Sequence, residues 1–281
     1  FYLECLSQAS YLVGDEKTGR AVVIDPRRDV QQYVDSAREH GLTIELVLET
    51  HFHADFLSGH LEMAKATGAK IGYGSIANPK FDAKLFADGE RYSLGDVTLE
   101  IRHTPGHTPE SISIVVYEHS SDAIPYGVLT GDTLFIGDVG RPDLLVSVGK
   151  TSNELGHLLF ASLRDKLLTL PDSTRVYPAH GAGSACGKNL STETMSTIGE
   201  QRRTNYALQF TNIDDFIDVV TEGQPPAPGY FIYDAQLNSQ DRAVLDEHVL
   251  PTRLSVDEVV KLSSTGTVII DTRDPQLFAT G

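Results

Sequence analysis

Seven consecutive residues, Thr50-His51-Phe52-His53-Ala54-Asp55-Phe56, constrain this chain more than any other stretch. A mostly apolar run from Ile44 to Leu48 precedes them and predicts a buried strand. Residues 58–67 follow, with apolar side chains at 57, 61 and 64 and Gly68 as a stop, and predict a helix. Two imidazoles and a carboxylate therefore crowd one loop at a strand end, where they can converge on a metal ion. Phe56 stands directly after the carboxylate, and an aromatic ring cannot bind such a cation.

The rest of the chain repeats this strand-to-ligand pattern. Ser10–Val13 and Arg20–Ile24 predict a hairpin, and Asp29 predicts the cap of a helix with apolar positions 30, 33, 34 and 37 that ends at Gly41. Val97–Ile101, Ile112–Tyr117, Val128–Leu129 and Arg175–Tyr177 read as further strands. Leu155, Leu158, Leu159, Leu163 and Leu167 mark one face of a long helix, and residues 192–208 and 213–221 read as two more. His107 lies in Thr104-Pro105-Gly106-His107-Thr108-Pro109, Asp132 in Thr130-Gly131-Asp132-Thr133, and His180 in Tyr177-Pro178-Ala179-His180-Gly181, each just beyond a predicted strand. In layered α/β folds, loops on that edge collect functional groups.

His51, His107 and Asp132 are read as metal ligands. His53 and His180 are read as ligands or as supporting groups, and Asp55 as a buried partner that orients a histidine. His40, His60, His103, His119, His157 and His248 are read as ordinary surface or core residues. Two histidines and one carboxylate leave coordination positions open, as non-haem Fe(II) oxygenases require and tetrahedral structural zinc does not. A two-metal hydrolase would need a histidine in the place of Phe56.

Composition excludes several functions. The 281 residues carry 23 Lys and Arg against 39 Asp and Glu, a net charge of −16, which repels phosphate backbones and argues against nucleic acid as a partner. No apolar run approaches the roughly 20 residues of a membrane span. No signal or transit segment is visible, and Phe1 is not an initiator Met. Cys5 and Cys186 are too few for a disulfide framework, so a reducing cytoplasm is the expected location. The composition leaves room for a homo-oligomer. Residues 1–223 are expected to form one metal-binding domain, and the Pro-rich Gln224–Gly229 opens a linker over 224–252. A third segment, 253–281, starts with a helix signal at Leu254-Ser255-Val256-Asp257-Glu258 and a buried-strand signal at Val268–Arg273.

Four of these motifs in this order, over residues 8–205, resemble the metallo-β-lactamase superfamily, which implies an αββα sandwich. Thr-His-x-His-Ala-Asp, Thr-Pro-Gly-His-Thr, Thr-Gly-Asp, Gly-x-x-Gly-Arg-Pro-Asp and Tyr-Pro-Ala-His-Gly together resemble the persulfide dioxygenases. That resemblance implies one Fe(II) per chain, held by His51, His107 and Asp132 and supported by His53, Asp55 and His180. It implies oxidation of a thiol persulfide, commonly glutathione persulfide, with O2 to sulfite and free thiol, in sulfide detoxification. The segment 253–281 resembles the start of a rhodanese domain, and bacterial fusions of the two are known in that family. The chain ends at Gly281, ahead of where such a domain's cysteine loop is expected.

Three residues are read as facing the substrate. Arg141 is either a carboxylate clamp or a loop brace paired with Asp138 or Asp143. Cys186 either handles sulfur, with Lys188 favouring its thiolate, or is an ordinary loop cysteine. Cys5 is expected in the core. The loop after His180 departs from the eukaryotic persulfide dioxygenases, which puts glutathione as carrier in doubt. Two rivals remain: a glyoxalase II-like thioester hydrolase, which Phe56 disfavours, and a non-catalytic sulfur-handling module.

Overall fold

The structure, a computed structural model, describes residues 1–144, 149, 151–245 and 252–280. His248 and residues 246–251 of the expected linker lie outside the described residues. Two compact units emerge, Phe1–Val244 and Leu245–Gly281.

In the first unit, β1 (Tyr2–Leu3) and β2 (Gln8–Ala9) pair as a small ribbon. Strands β3 (Tyr11–Asp15), β4 (Arg20–Ile24), β5 (Thr43–Leu48), β6 (Lys70–Gly74) and β7 (Lys84–Phe86) form one sheet in sequence order, antiparallel at β3–β4 and parallel thereafter. A second sheet takes β8 (Arg91–Ser93), β9 (Thr98–His103), β10 (Ile112–Tyr117), β11 (Gly127–Gly131), β12 (Arg175–Pro178) and β13 (Ser196–Thr197), with only β11–β12 parallel. The helices are α1 (Gln31–Glu39), α2 (His60–Thr67), α3 (Ser152–Ala161), α4 (Ile198–Thr204), α5 (Ile213–Thr221) and α6 (Phe231–Asn238). A π-helical stretch, Ser162–Leu167, prolongs α3.

Side-chain alternation along the strands sorts the core into layers. Val22, Ile24, Leu46 and Leu48 meet Leu99, Ile101, Ile112 and Ile114 between the sheets. Their neighbours Val23 and Val47 point the other way, onto Tyr33 and Met63 of α1 and α2. Beyond the second sheet, Val115, Val128 and Val176 pack against Leu159, Leu163, Leu167 and Phe216. The result is helix, sheet, sheet, helix, the αββα sandwich expected from the sequence motifs. Both faces of the inner strands are covered, which is why they read as apolar runs rather than alternating ones. Each such side chain, fully buried, contributes about 1.5–3 kcal/mol.

Several expectations need correction. The cap position of α1 is Val30, without a side-chain cap, while the Asp29 carboxylate instead accepts from Gln32 and pairs with Arg27. The expected helix over 192–208 shortens to α4 followed by a 3-10 turn at Tyr206–Gln209. Cys5 is exposed. The expected linker is only partly one: residues up to Val244 belong to the first unit and include α6, whose Asn238 is fully buried.

In the second unit, α7 (Val256–Ser264) begins with a capping box between Ser255 and Glu258, and α8 (Pro275–Ala279) follows. The strand expected at 268–273 does not form, and Val268 and Ile270 are 79% and 78% exposed. An extended segment needs neighbours for its backbone hydrogen bonds and its apolar face, and none is present among the described residues of this unit. Among the described residues, no helix is long and apolar enough to cross a membrane.

Candidate metal centre

The ends of β5, β9, β11 and β12 deliver the four ligand-bearing loops to one edge of the sandwich. Strand β5 carries His51, His53 and Asp55, β9 leads to His107, β11 to Asp132 and β12 to His180. Two glycines of the motifs make the approach possible. Gly106 has φ +147°, and a Cβ there would lie 2.4 Å from Leu159 of α3. A Cβ on Gly140 would lie 1.8 Å from the Asp132 carbonyl oxygen and 3.1 Å from His107 Nδ1. Any side chain at 140 would push two ligand loops apart.

His51, His107 and Asp132 come together with one ligand atom each within 4.8 Å of the others, all buried. Asp132 Oδ2 lies 3.4 Å from His107 Nε2 and 3.8 Å from His51 Nε2. These separations are too long for hydrogen bonds and suit the edges of a coordination polyhedron with bonds of about 2.0–2.2 Å. His51 Nε2 and Asp132 Oδ2 have no hydrogen-bond partner, a costly arrangement for buried polar atoms unless a cation sits between them.

The opposite ring nitrogens are engaged. The Thr50 hydroxyl donates to Asp25 Oδ2 (2.9 Å), so its oxygen accepts from His51 Nδ1–H (2.9 Å), which leaves Nε2 as the lone-pair nitrogen. Asp25 Oδ1 also accepts the Thr50 amide at 2.7 Å. His107 Nδ1–H donates to the Arg141 carbonyl at 3.0 Å. Burial lowers the pKa of both histidines, and the neighbouring His53 lowers that of His51 further. Burial alone would raise Asp132, yet His180 beside it holds the carboxyl well below the usual range. Two neutral imidazoles and one carboxylate make a ligand-ready set. Replacing Thr50 by valine should weaken metal binding about 10–100-fold with the fold intact, while serine restores it. Chelator competition measures this, and equal affinity in all three proteins would dismiss the relay.

His180 sits between two carboxylates, with Nδ1 2.7 Å from Asp132 Oδ1 and Nε2 2.8 Å from Asp55 Oδ2. Burial opposes its protonation, but Asp132 and Asp55 outweigh that and raise its pKa well above the ordinary value. Asp55, His180 and Cys186 form a second buried cluster. The Phe56 ring packs on His53 with centroids 4.6 Å apart. His53 turns away from the first cluster, its Nε2 lying 3.2 Å from Asp25 and 3.6 Å from Glu49. Burial disfavours its charge, yet Asp25 and Glu49 prevail and raise its pKa to about 9. Asp25, Glu49 and His53 form a third buried cluster. In both further clusters the neighbouring carboxylates favour the protonated histidine.

The substrate-facing expectations fare differently. Arg141 is 2% exposed and grips Asp143 bidentately (2.7 and 2.6 Å), which is the loop-brace alternative. Lys188 turns its ammonium to the carbonyls of Val219 and Glu222 at the end of α5, away from Cys186. Burial, and then the nearby Asp132 and Asp55, push the Cys186 thiol well up, so the activated thiolate is not supported.

Sequence reading missed two groups, Asp25 and Asn238, and gave a third, Asp138, only as a possible partner of Arg141. Asp25 orients Thr50, and its only signal was its place at the end of an apolar strand. Asp138 accepts from the amides of Lys188 (2.8 Å) and Asn189 (2.7 Å) and from the Tyr206 hydroxyl (2.8 Å), bracing the Cys186 loop. Asn238 of α6 donates to the carbonyls of His53 and Phe56, both at 2.8 Å, and accepts the Ser58 amide at 3.0 Å. Asp234 on the same helix has its carboxyl raised by burial and by the charge of Asp55, which places α6 beside the centre.

Comparison with known proteins agrees with this geometry. The bovine (Bos taurus) mitochondrial persulfide dioxygenase ETHE1 is 30% identical over 221 residues, 78% of each chain. A cytoplasmic hydroxyacylglutathione hydrolase of Arabidopsis thaliana is 33% identical over 183 residues, 64% of this chain and 66% of its own. Among solved structures, a metallo-beta-lactamase from Staphylococcus aureus subsp. aureus COL superposes with TM-score 0.85 and 36% identity, covering 92% of this chain and 77% of that one. The metallo-beta-lactamase superfamily profile matches residues 3–180, ending on the histidine that bridges Asp55 and Asp132. With that match, the layered sandwich and the ligands gathered on one edge, the chain belongs to the metallo-β-lactamase superfamily.

Proposed function

We propose that the protein is a non-haem Fe(II) dioxygenase that oxidises a low-molecular-weight thiol persulfide with O2 to sulfite and the free thiol. The observation that carries this reading is the face of His51, His107 and Asp132, with two neutral imidazoles, one carboxylate and Phe56 where a two-metal site needs a histidine. The 30% identity to a persulfide dioxygenase supports it. Iron(II) held there would supply the redox chemistry, with open positions for the persulfide sulfur and O2. The chain's own groups position and insulate: Asp25 and Thr50 set the His51 tautomer, the Arg141 carbonyl sets that of His107, and His180 occupies Asp132 Oδ1, which would leave Oδ2 to hold the ion.

The two free cysteines suit a reducing cytoplasm. Residues 253–281 are read as the start of a rhodanese-like domain, supported by the capped helix α7 after a Pro-containing connection.

One observation favours a second reading. The Asp55–His180–Cys186 cluster, with the likeness to a hydroxyacylglutathione hydrolase, would suit a two-metal thioester hydrolase. Iron-loaded protein given a range of low-molecular-weight thiol persulfides decides between them. Matched O2 uptake and sulfite formation are expected. Hydrolysis of lactoylglutathione with no O2 uptake from any thiol persulfide would transfer the assignment to the hydrolase.

A further inference from the structure

A groove of about 290 Å³ runs beside the metal-loop backbone. Phe52 and Ala54, which alternate with His51 and His53, line it, as does Thr108, which directly follows His107. Phe231 and Ile232 of α6 supply the facing wall, and the lining is mostly apolar. Two charged residues border it. Glu110 already accepts the Phe52 amide at 3.0 Å. Lys80 is exposed, and its ammonium makes no ion pair among the described residues.

We propose that this groove binds the carrier arm of the persulfide, and that the arm is apolar with a single anionic end seated at Lys80. The inference rests on the dioxygenase reading above and specifies its substrate class. Glutathione brings two carboxylates and an ammonium. Among the described residues it would meet one cation, largely apolar walls and a carboxylate already committed to a backbone amide. Its second carboxylate would face Glu110 without a counter-ion, and desolvating an unpaired charge disfavours binding. An alkyl or amide-bearing arm ending in one carboxylate or phosphate matches both the walls and the Lys80 ammonium.

Thioethers, which lack the reacting sulfur–sulfur bond, test binding apart from turnover. Calorimetric titration of the full iron-loaded chain should show methylthiohexanoate binding about tenfold more tightly than neutral methylthiohexanol. Lys80→Ala, an exposed substitution, should erase that difference, and Ile232→Asp should weaken both ligands. S-methyl-phosphopantetheine in place of the hexanoate tells a phosphate end from a carboxylate end, and tight binding of either supports the proposal. An alcohol that binds as tightly as both anionic arms, or S-methylglutathione that binds more tightly than both, would overturn it. If the arms bind as stated while their persulfides drive no O2 uptake, the groove stands and the dioxygenase reading falls. If glutathione persulfide drives uptake and the arms do not bind, the groove falls and the dioxygenase stands.

Discussion

Replacing His107 by alanine should remove bound iron and persulfide-dependent O2 uptake together. His107 Nε2 is one of three ligand atoms, and the remaining two, His51 Nε2 and Asp132 Oδ2, are 3.8 Å apart with no other protein partner. A pair of ligands retains a divalent ion poorly, so the loss should exceed the roughly 10–100-fold that removing a mere outer partner produces. Metal analysis should fall to background, and O2 uptake to the rate of free iron in the same buffer. The fold should survive, because the substitution leaves only the Arg141 carbonyl without its donor, a penalty of about 1–3 kcal/mol. His157→Ala is the matched control: that side chain is exposed on α3 and bonded only to the Asn153 carbonyl, so metal and turnover should not change. Persistent turnover in metal-free His107→Ala protein would refute the oxygenase outright.

The ligand trio was readable because its signals are local. Each ligand follows an apolar strand run and a small or proline-rich turn, and the layered packing then fixes which edge those turns share. Phe56 was equally readable, since its consequence depends only on residue type. Lys188 was not. Two residues from Cys186 it looks like a thiolate partner, yet the last carbonyls of α5 at Val219 and Glu222 capture its ammonium. Nothing at 188 announces a partner 31 residues away. Arg141 likewise satisfies its fork two residues along, on Asp143. The run Val268–Ile270 has the composition of a buried strand, but a strand exists only with a neighbour to pair it, and composition does not say whether one is there. The Pro-rich 224–229 stretch signals absence of regular structure, and that was read too widely as absence of packing beyond it.

Asn238→Ala is where that last error has its largest effect. The amide satisfies three backbone groups of the metal loop: the carbonyls of His53 and Phe56 and the amide of Ser58. Asn238 is fully buried, so water cannot easily replace it. Each stranded group costs about 1–3 kcal/mol, so the three together are expected to cost roughly 3–9 kcal/mol, a large share of the roughly 5–15 kcal/mol that holds a typical domain folded. Arg242 reinforces the strap by pairing with Glu62 at 2.8 Å and donating to the Ser58 carbonyl. Thermal unfolding should therefore drop by about 10 °C or more, and iron retention should fall with it, because the loosened backbone carries His51. Asn238→Asp discriminates a hydrogen-bond role from space filling. Its shape is nearly the same, but it turns a donor into an anion facing two carbonyls, so it should be at least as damaging as alanine. By the same argument, a chain cut after residue 223, where composition alone would end the domain, should lose the strap and hold iron poorly. If Asn238→Ala melts within a degree or two of the parent and keeps its iron, α6 is an ornament on the metal loop and not its anchor.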